Sequence, residues 1–261
     1  MSKANKRERQ RQNRDQRREY ENQLAKRRKA WKTARTFALI AVPVIAIGVV
    51  LNLTNSGETT KSSSGKAAAC TKVGAPEPRE DGTLEAPPLT IDPALAYVAD
   101  VDTNCDAFTI TLDPAQAPQT VNSFVTLARQ GFYDGLPFHR VVEDFVVQGG
   151  DPKGDGTGGP GYTLPDEPPA DGYRKGSVAM ATSGPGTSGS QFFVVSSAAG
   201  ARNLGGPPYL YSILGEVTSG IGTIDKMDRL ASTQADGADQ SPKRPIVITS
   251  ITIVESAPAT P

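Results

Sequence analysis

The chain is poor in the residues that build most enzyme sites. Its 261 residues include two cysteines, one histidine and one tryptophan. Cys70 and Cys105 are too few for a disulfide framework or a zinc site. The single histidine, His139, excludes His-rich metal sites, and a catalytic triad would have to run through that one residue. Apolar residues make up 37%, below the globular average, while 26 Gly and 21 Pro point to long loops and linkers. The polar ends explain part of that low value, so the middle still has enough apolar residues for one packed domain.

Formal net charge is zero, but the charge is unevenly spread. Residues 1–35 carry fourteen Lys/Arg against four Asp/Glu, and the rest of the chain carries fourteen against twenty-four. Leu24, Ala25, Ala30 and Trp31 are too sparse to form a buried face. Residues 1–35 therefore read as a solvated, disordered or partly helical basic tail, with a polybasic lipid-facing segment and then nucleic-acid binding as the functional alternatives. No nucleic-acid partner is expected, because a basic run beside a membrane segment is a topology signal first.

That membrane segment follows. No charge occurs from Thr36 to Gly57, and Phe37 to Leu51 is nearly continuous Ala, Val, Ile and Leu. Residues 36–54 read as a transmembrane signal-anchor, with the basic side cytoplasmic and the remainder exported across the cell membrane. A cleaved signal peptide is the competitor. Residues 55–90, rich in Ser, Gly and Pro, read as a flexible linker, 91–255 as the folded domain and 256–261 as a disordered end.

Within the domain, 97–102 and 108–112 alternate around a turn at 103–106, which predicts a β-hairpin. Pro118 with Val121, Phe124, Val125 and Ala128 predicts a helix that Gly131 ends. Short β runs follow at 138–142, 145–148, 177–181, 191–195, 211–217 and 246–254, with a second helix near 220–230. Many short strands with two helices favour a mainly β, closed antiparallel barrel capped by helices.

Two stretches carry the chemistry: Phe138 to Gly150, and Met180-Ala181-Thr182 with Ser190-Gln191-Phe192-Phe193. Arg140 sits among apolar residues. It cannot act as a general base. Either it pairs with Glu143 or Asp144, or it polarises a carbonyl or donates to a nitrogen lone pair. Gln148, if buried, needs hydrogen bonds, which an arginine or a substrate carbonyl would supply. Strand alternation turns Phe192 and Phe193 to opposite faces and turns His139 away from Arg140, giving that histidine a structural role. The glycine-dense loop 151–162 is neither a P-loop nor a calcium loop, since Lys153 and Tyr162 occupy positions that need oxygen ligands.

In order and spacing, Phe138-His139-Arg140, Phe145-x-x-Gln148-Gly149-Gly150-Asp151, Gly154-x-Gly156-x-Gly158, Met180-Ala181, Gly189-Ser190-Gln191-Phe192-Phe193 and Leu214-Gly215 resemble the cyclophilins, and among them the bacterial membrane-anchored or secreted members. The resemblance spans about residues 96 to 254. It implies an eight-stranded closed antiparallel barrel with a helix at each end, and cis/trans isomerisation of X-Pro bonds in proline-containing polypeptides without a cofactor or metal. It implies catalytic roles for Arg140, Gln148 and Phe145. Phe138, Val146, Ala181, Thr182, Gln191, Phe193, Leu204 and Tyr211 become the substrate-binding residues. A monomer is expected.

Four departures from the family pattern stand out. Val146 replaces a frequent Met, Thr182 a frequent Asn and Tyr211 the pocket histidine, and the only tryptophan, Trp31, lies outside the domain. Weak cyclosporin binding is therefore expected. The alternative function is a catalytically weak proline-binding or chaperone module. Cys70 in the linker and Cys105 in the first hairpin turn are candidates for a disulfide outside the cytoplasm, against two unpaired thiols.

Overall fold

The computed structural model of the protein describes residues 70–206, 209–232 and 240–256. The expected basic tail, the membrane segment, linker residues 55–69 and residues 257–261 lie outside the described residues. Among the described residues no helix is long and apolar enough to cross a membrane.

Eight strands form one sheet: β1 (Ala96–Thr103), β2 (Phe108–Leu112), β3 (Arg140–Val142), β4 (Val146–Gly149), β5 (Ser177–Met180), β6 (Phe192–Val195), β7 (Ile213–Ser219) and β8 (Ile248–Ser256). Their spatial order is β3-β4-β6-β5-β7-β2-β1-β8, and each neighbouring pair is antiparallel. The first hairpin forms as its alternation predicts, with Tyr97, Ala99 and Val101 on β1 and Phe108, Ile110 and Leu112 on β2 turned inward. The chain just ahead of β3 also meets the start of β8, the other outer strand. Pro137 and Val247 form an isolated antiparallel bridge, the Phe138 N–H donates to Ile246 O at 2.8 Å and the Ile248 N–H to Leu136 O at 2.9 Å.

Among the described residues three helices accompany the sheet: α1 (Pro118–Arg129), α2 (Ala198–Asn203) and α3 (Ile221–Asp228). Two were expected. The third, α2, has only six residues, too few for a helical period to show, and its clearest signal is Ser197, whose Oγ accepts the Gly200 N–H at 2.9 Å as an N-cap. Helix α1 packs Val121, Phe124, Val125 and Ala128 against the sheet and ends ahead of Gly131 at φ 67°. Its own N-cap, Ala117, offers no side-chain acceptor. The buried carboxylate of Glu167 does this from a distant loop, accepting the N–H groups of Gln119 at 3.3 Å and Thr120 at 2.8 Å.

The core centres on aromatic rings. Phe192 meets Phe124, Tyr133 and Phe138 edge-on at 5.7, 5.7 and 5.9 Å between centroids. Each buried ring contributes roughly 1.5–3 kcal/mol by leaving water, plus about 0.5–1.5 kcal/mol for the edge-to-face geometry. The sequence segment read as a flexible linker differs from that reading in its described part. Cys70 is bonded to Cys105, and Thr71 and residues within 79–84 and 88–91 are hydrogen-bonded to the domain. A linker composition does not prevent docking when the domain supplies the acceptors.

Candidate active site

Register across four strands builds the site. Arg140 on β3 stands opposite Gln148 on β4, Gln148 opposite Phe193 on β6, and Phe193 opposite Ala179 on β5. The next row, Val141, Val147, Val194 and Val178, points into the core. Because successive strand residues face opposite sides, one sheet carries two apolar clusters back to back. The outer one contains Val146, Ala179, Phe193 and Val195, rimmed by Phe145, Tyr173, Ala181, Ala201, Leu204 and Tyr211.

A tight turn joins β3 to β4. The Phe145 N–H donates to Val142 O at 3.0 Å, and Asp144 takes φ 56°, a conformation its short polar side chain tolerates. The Asp144 N–H points at the Asp228 carboxylate at 3.2 Å, and the Asp144 carbonyl accepts the Ser197 hydroxyl at 2.5 Å. This turn delivers Phe145 to the guanidinium, whose carbon lies 5.9 Å from the ring centroid. Short α2 then brings Ala201 and Leu204 to the same basin.

Arg140 is half-buried and held by neutral amides. Its Nη1 donates to Gln148 Oε1 at 3.2 Å, and its Nε donates to Gln240 Oε1. Gln148 Nε2 in turn donates to Gln191 Oε1 at 3.0 Å, and Gln191 Nε2 to the carbonyls of Gly156 and Gly158 at 3.0 and 2.9 Å. Neither Glu143 nor Asp144 pairs with Arg140 among the described ion pairs, so the amide-held arrangement takes the place of a surface salt bridge. Burial moves the Arg140 pKa downward, with the Tyr211 phenol acting the other way. The group stays a cation, with guanidinium N–H groups left for a ligand.

The expected residues fall into four places. Arg140, Phe145, Gln148 and Gln191 form the polar edge, while Val146, Ala181, Phe193, Leu204 and Tyr211 form the basin. Phe193 and Tyr211 meet edge-on at 5.1 Å. Thr182 lies at the rim, its hydroxyl bonded to Gly184 O and paired with the Thr187 hydroxyl at 2.7 Å. Phe138 is the exception: it is 0% exposed in the main core and does not line the basin. The cause is that β3 begins only at Arg140, so residue 138 belongs to the pairing with residues 246–248 and faces inward.

His139 stands apart from the basin. Neither ring nitrogen has a hydrogen-bond partner among the described residues, and burial pushes its pKa below the ordinary value, with Asp151 acting upward. Two functional neighbours carried no sequence signal. Gln240 sits in an aperiodic stretch. Tyr173 fixes the basin wall: its hydroxyl donates to Tyr211 O at 2.7 Å and accepts the Tyr211 N–H at 2.9 Å. Burial raises the Tyr173 pKa, so it remains a neutral donor. A fixed cation beside an apolar basin, with no nucleophile aimed into it among the described residues, suits polarisation and grip rather than covalent chemistry.

The sequence profile of the family described as cyclophilin type peptidyl-prolyl cis-trans isomerase/CLD matches residues 98–253. The chain is 40% identical over 177 residues to the probable peptidyl-prolyl cis-trans isomerase B of Mycobacterium tuberculosis, covering 61% of this chain and 55% of that protein. It is 40% identical over 176 residues to the probable peptidyl-prolyl cis-trans isomerase A of Mycobacterium leprae, covering 59% and 91%. The chain thus spans about half the length of the first of these relatives. A Cryptosporidium parvum cyclophilin type peptidyl-prolyl cis-trans isomerase superposes with a TM-score of 0.55 at 30% identity, over 62% of this chain and 99% of that one. The same protein was also solved in the presence of the dipeptide Ala-Pro. Motifs, strand order and profile converge, and the chain belongs to the cyclophilin-type peptidyl-prolyl cis-trans isomerase family.

Proposed function

We propose that the chain catalyses cis/trans rotation of X-Pro bonds in polypeptides. The observation that carries this is the half-buried Arg140, held by Gln148 beside the Phe145–Phe193 basin. The uncatalysed rotation faces a barrier of roughly 18–20 kcal/mol because it breaks amide resonance. In the twisted state the proline nitrogen becomes pyramidal and its lone pair localises. Arg140 donates to that lone pair and holds the substrate carbonyl, Gln148 orients Arg140, and the basin takes the proline ring. The bond to the lone pair forms only in the twisted state and therefore acts on kcat. Gln191 and the backbone near Thr182 hold the extended peptide. The reaction needs no cofactor.

The eight strands act as a closed barrel, a reading supported by the Pro137–Val247 bridge between the segments that lead into its two outer strands. The domain works outside the cytoplasm on exported chains, as a monomer tethered by residues 36–54. The Cys70–Cys105 disulfide supports an oxidising compartment. Cyclosporin binds weakly, because Leu204 and Tyr211 line the basin and no tryptophan lies in the domain.

A prolyl-isomerisation assay on the full chain tests the central claim. Arg140→Ala is expected to lose about a hundredfold or more in kcat/KM, the scale of removing one preorganised donor. An inactive wild-type chain that still binds proline peptides would leave a binding module instead.

A further inference from the structure

The matched family region begins at residue 98, yet the chain is ordered against the domain from residue 71. Its two ends are fixed independently. Cys70 is bonded to Cys105. At the other end the buried Asn122 accepts the Thr90 and Ile91 N–H groups at 2.9 and 3.2 Å and donates to Pro88 O at 3.0 Å. Between these anchors, residues 79–84 run along the glycine-rich loop 151–162. The Arg79 N–H donates to Pro152 O at 2.8 Å, Gly82 to Gly159 O at 2.9 Å and Leu84 to Pro160 O at 3.0 Å. The Gly159 N–H returns a bond to Asp81 Oδ1 at 3.0 Å, and Lys153 pairs with Asp81 Oδ2 at 2.6 Å.

The two backbones are in close contact. A Cβ on Gly82 would lie 2.4 Å from Pro160 O, and a Cβ on Gly161 would lie 2.5 Å from Gly82 O. No side chain fits at either position, so the pairing requires glycine on both sides. From inside, the sealed Asp151 carboxylate accepts the Lys153 and Gly156 N–H groups at 2.9 and 2.5 Å. The loop is therefore clamped between Asp151 and residues 79–84.

That loop supplies the carbonyls of Gly156 and Gly158, which seat the Gln191 amide. Gln191 seats Gln148, and Gln148 seats Arg140. A loop with Gly154, Gly156, Gly158, Gly159 and Gly161 has many backbone conformations open to it unless something outside selects one. We propose that residues 79–84 are a positioning strap: by holding Gly159 and Pro160 they set the carbonyls that orient Gln191, Gln148 and hence Arg140. Asp81 and Gly82 are positioning residues and touch no substrate. The Lys153–Asp81 pair is exposed and adds little, so the backbone bonds and the Asp81–Gly159 contact carry the effect. This inference rests on the catalytic reading of Arg140.

The test compares full-length wild type with Asp81→Ala, Asp81→Asn, Gly82→Val and Arg140→Ala. Asp81→Ala and Gly82→Val are expected to lower kcat about three- to tenfold, with KM within about twofold, because a displaced donor costs rate while the basin stays intact. Asp81→Asn keeps the acceptor for Gly159 and should restore most of kcat. The side-chain amide signals of Gln148 and Gln191 in a nitrogen–proton correlation spectrum should shift in Asp81→Ala and Gly82→Val. If Asp81→Ala folds, leaves those signals in place and keeps wild-type kcat, the strap has no positioning role. If Gly82→Val does not fold, Asp81→Ala decides alone. If Arg140→Ala stays active, the catalytic reading fails, and unmoved amide signals would separately overturn the strap.

Discussion

Arg140 and Gln148 face each other directly across the β3–β4 pair, and the guanidinium Nη1 donates to the glutamine Oε1 at 3.2 Å. Antiparallel register alone brings the two together, so the donor's direction is built into the sheet and not left to a mobile side chain. The planar fork of arginine gives this contact an orientation that a lysine ammonium lacks.

Gln148→Ala should therefore lower kcat/KM by roughly tenfold, as Arg140 loses its aim and Gln191 loses its partner. Arg140→Lys should lose more than Gln148→Ala despite keeping the charge. Steady-state isomerisation kinetics decide the order, and an active Arg140→Lys would remove the argument from planarity.

Gln240 contributes a second neutral acceptor, at Arg140 Nε, and its carbonyl takes the Val141 N–H at 2.8 Å. Gln240→Ala should reduce kcat about threefold through lost orientation. Gln240→Glu keeps an acceptor but places a carboxylate on the guanidinium, drawing its charge away from the substrate. It should be slower than Gln240→Ala, whereas a purely structural role would rank them the other way.

His139 gives a pH signature, because it is the one histidine of the chain. Burial lowers its folded-state pKa below the ordinary 6.5. The unfolded chain takes up its proton near pH 6.5 and the folded chain only at lower pH, so between those values the unfolded state binds more protons. Stability is full above that window and falls as the pH drops through it. Urea unfolding at a series of pH values should show this slope in wild type and a flatter profile in His139→Phe.

Glu167 caps α1 through the Gln119 and Thr120 N–H groups. Glu167→Ala should cost about 1–2 kcal/mol of unfolding free energy, the usual scale of a lost cap. Glu167→Gln, which retains an acceptor, should lose less. Denaturant midpoints measure both.

The Cys70–Cys105 disulfide spans 35 positions. Closing a loop of that length stabilises by about 3–4 kcal/mol through the unfolded chain. Cys70→Ser with Cys105→Ser should lower the melting temperature and abolish its sensitivity to reductant. Equal melting of oxidised and reduced wild type would contradict a formed bridge.

Much of this protein is local in origin and could be read from the chain. Alternation located the first two strands and short β-forming runs the other six, Pro118 and Gly131 bounded α1, and neighbouring positions separated Phe192 from Phe193. The family resemblance carried by the motif run from Phe138 to Phe193 pointed to Arg140, Gln148 and Phe145, and to Val146, Ala181 and Phe193 of the basin. These signals depend on each residue's neighbours in sequence, so the sequence by itself determined them. The tertiary structure alone decided the contacts between distant segments. It turned Phe138 into the core, because β3 starts two residues later than the apolar run suggests. It brought Gln240 to Arg140, Tyr173 to Tyr211 and Glu167 to α1, and it laid residues 79–84 on the glycine-rich loop. None of these follows from composition or period, because each is a hydrogen bond between groups that only the folded sheet makes neighbours.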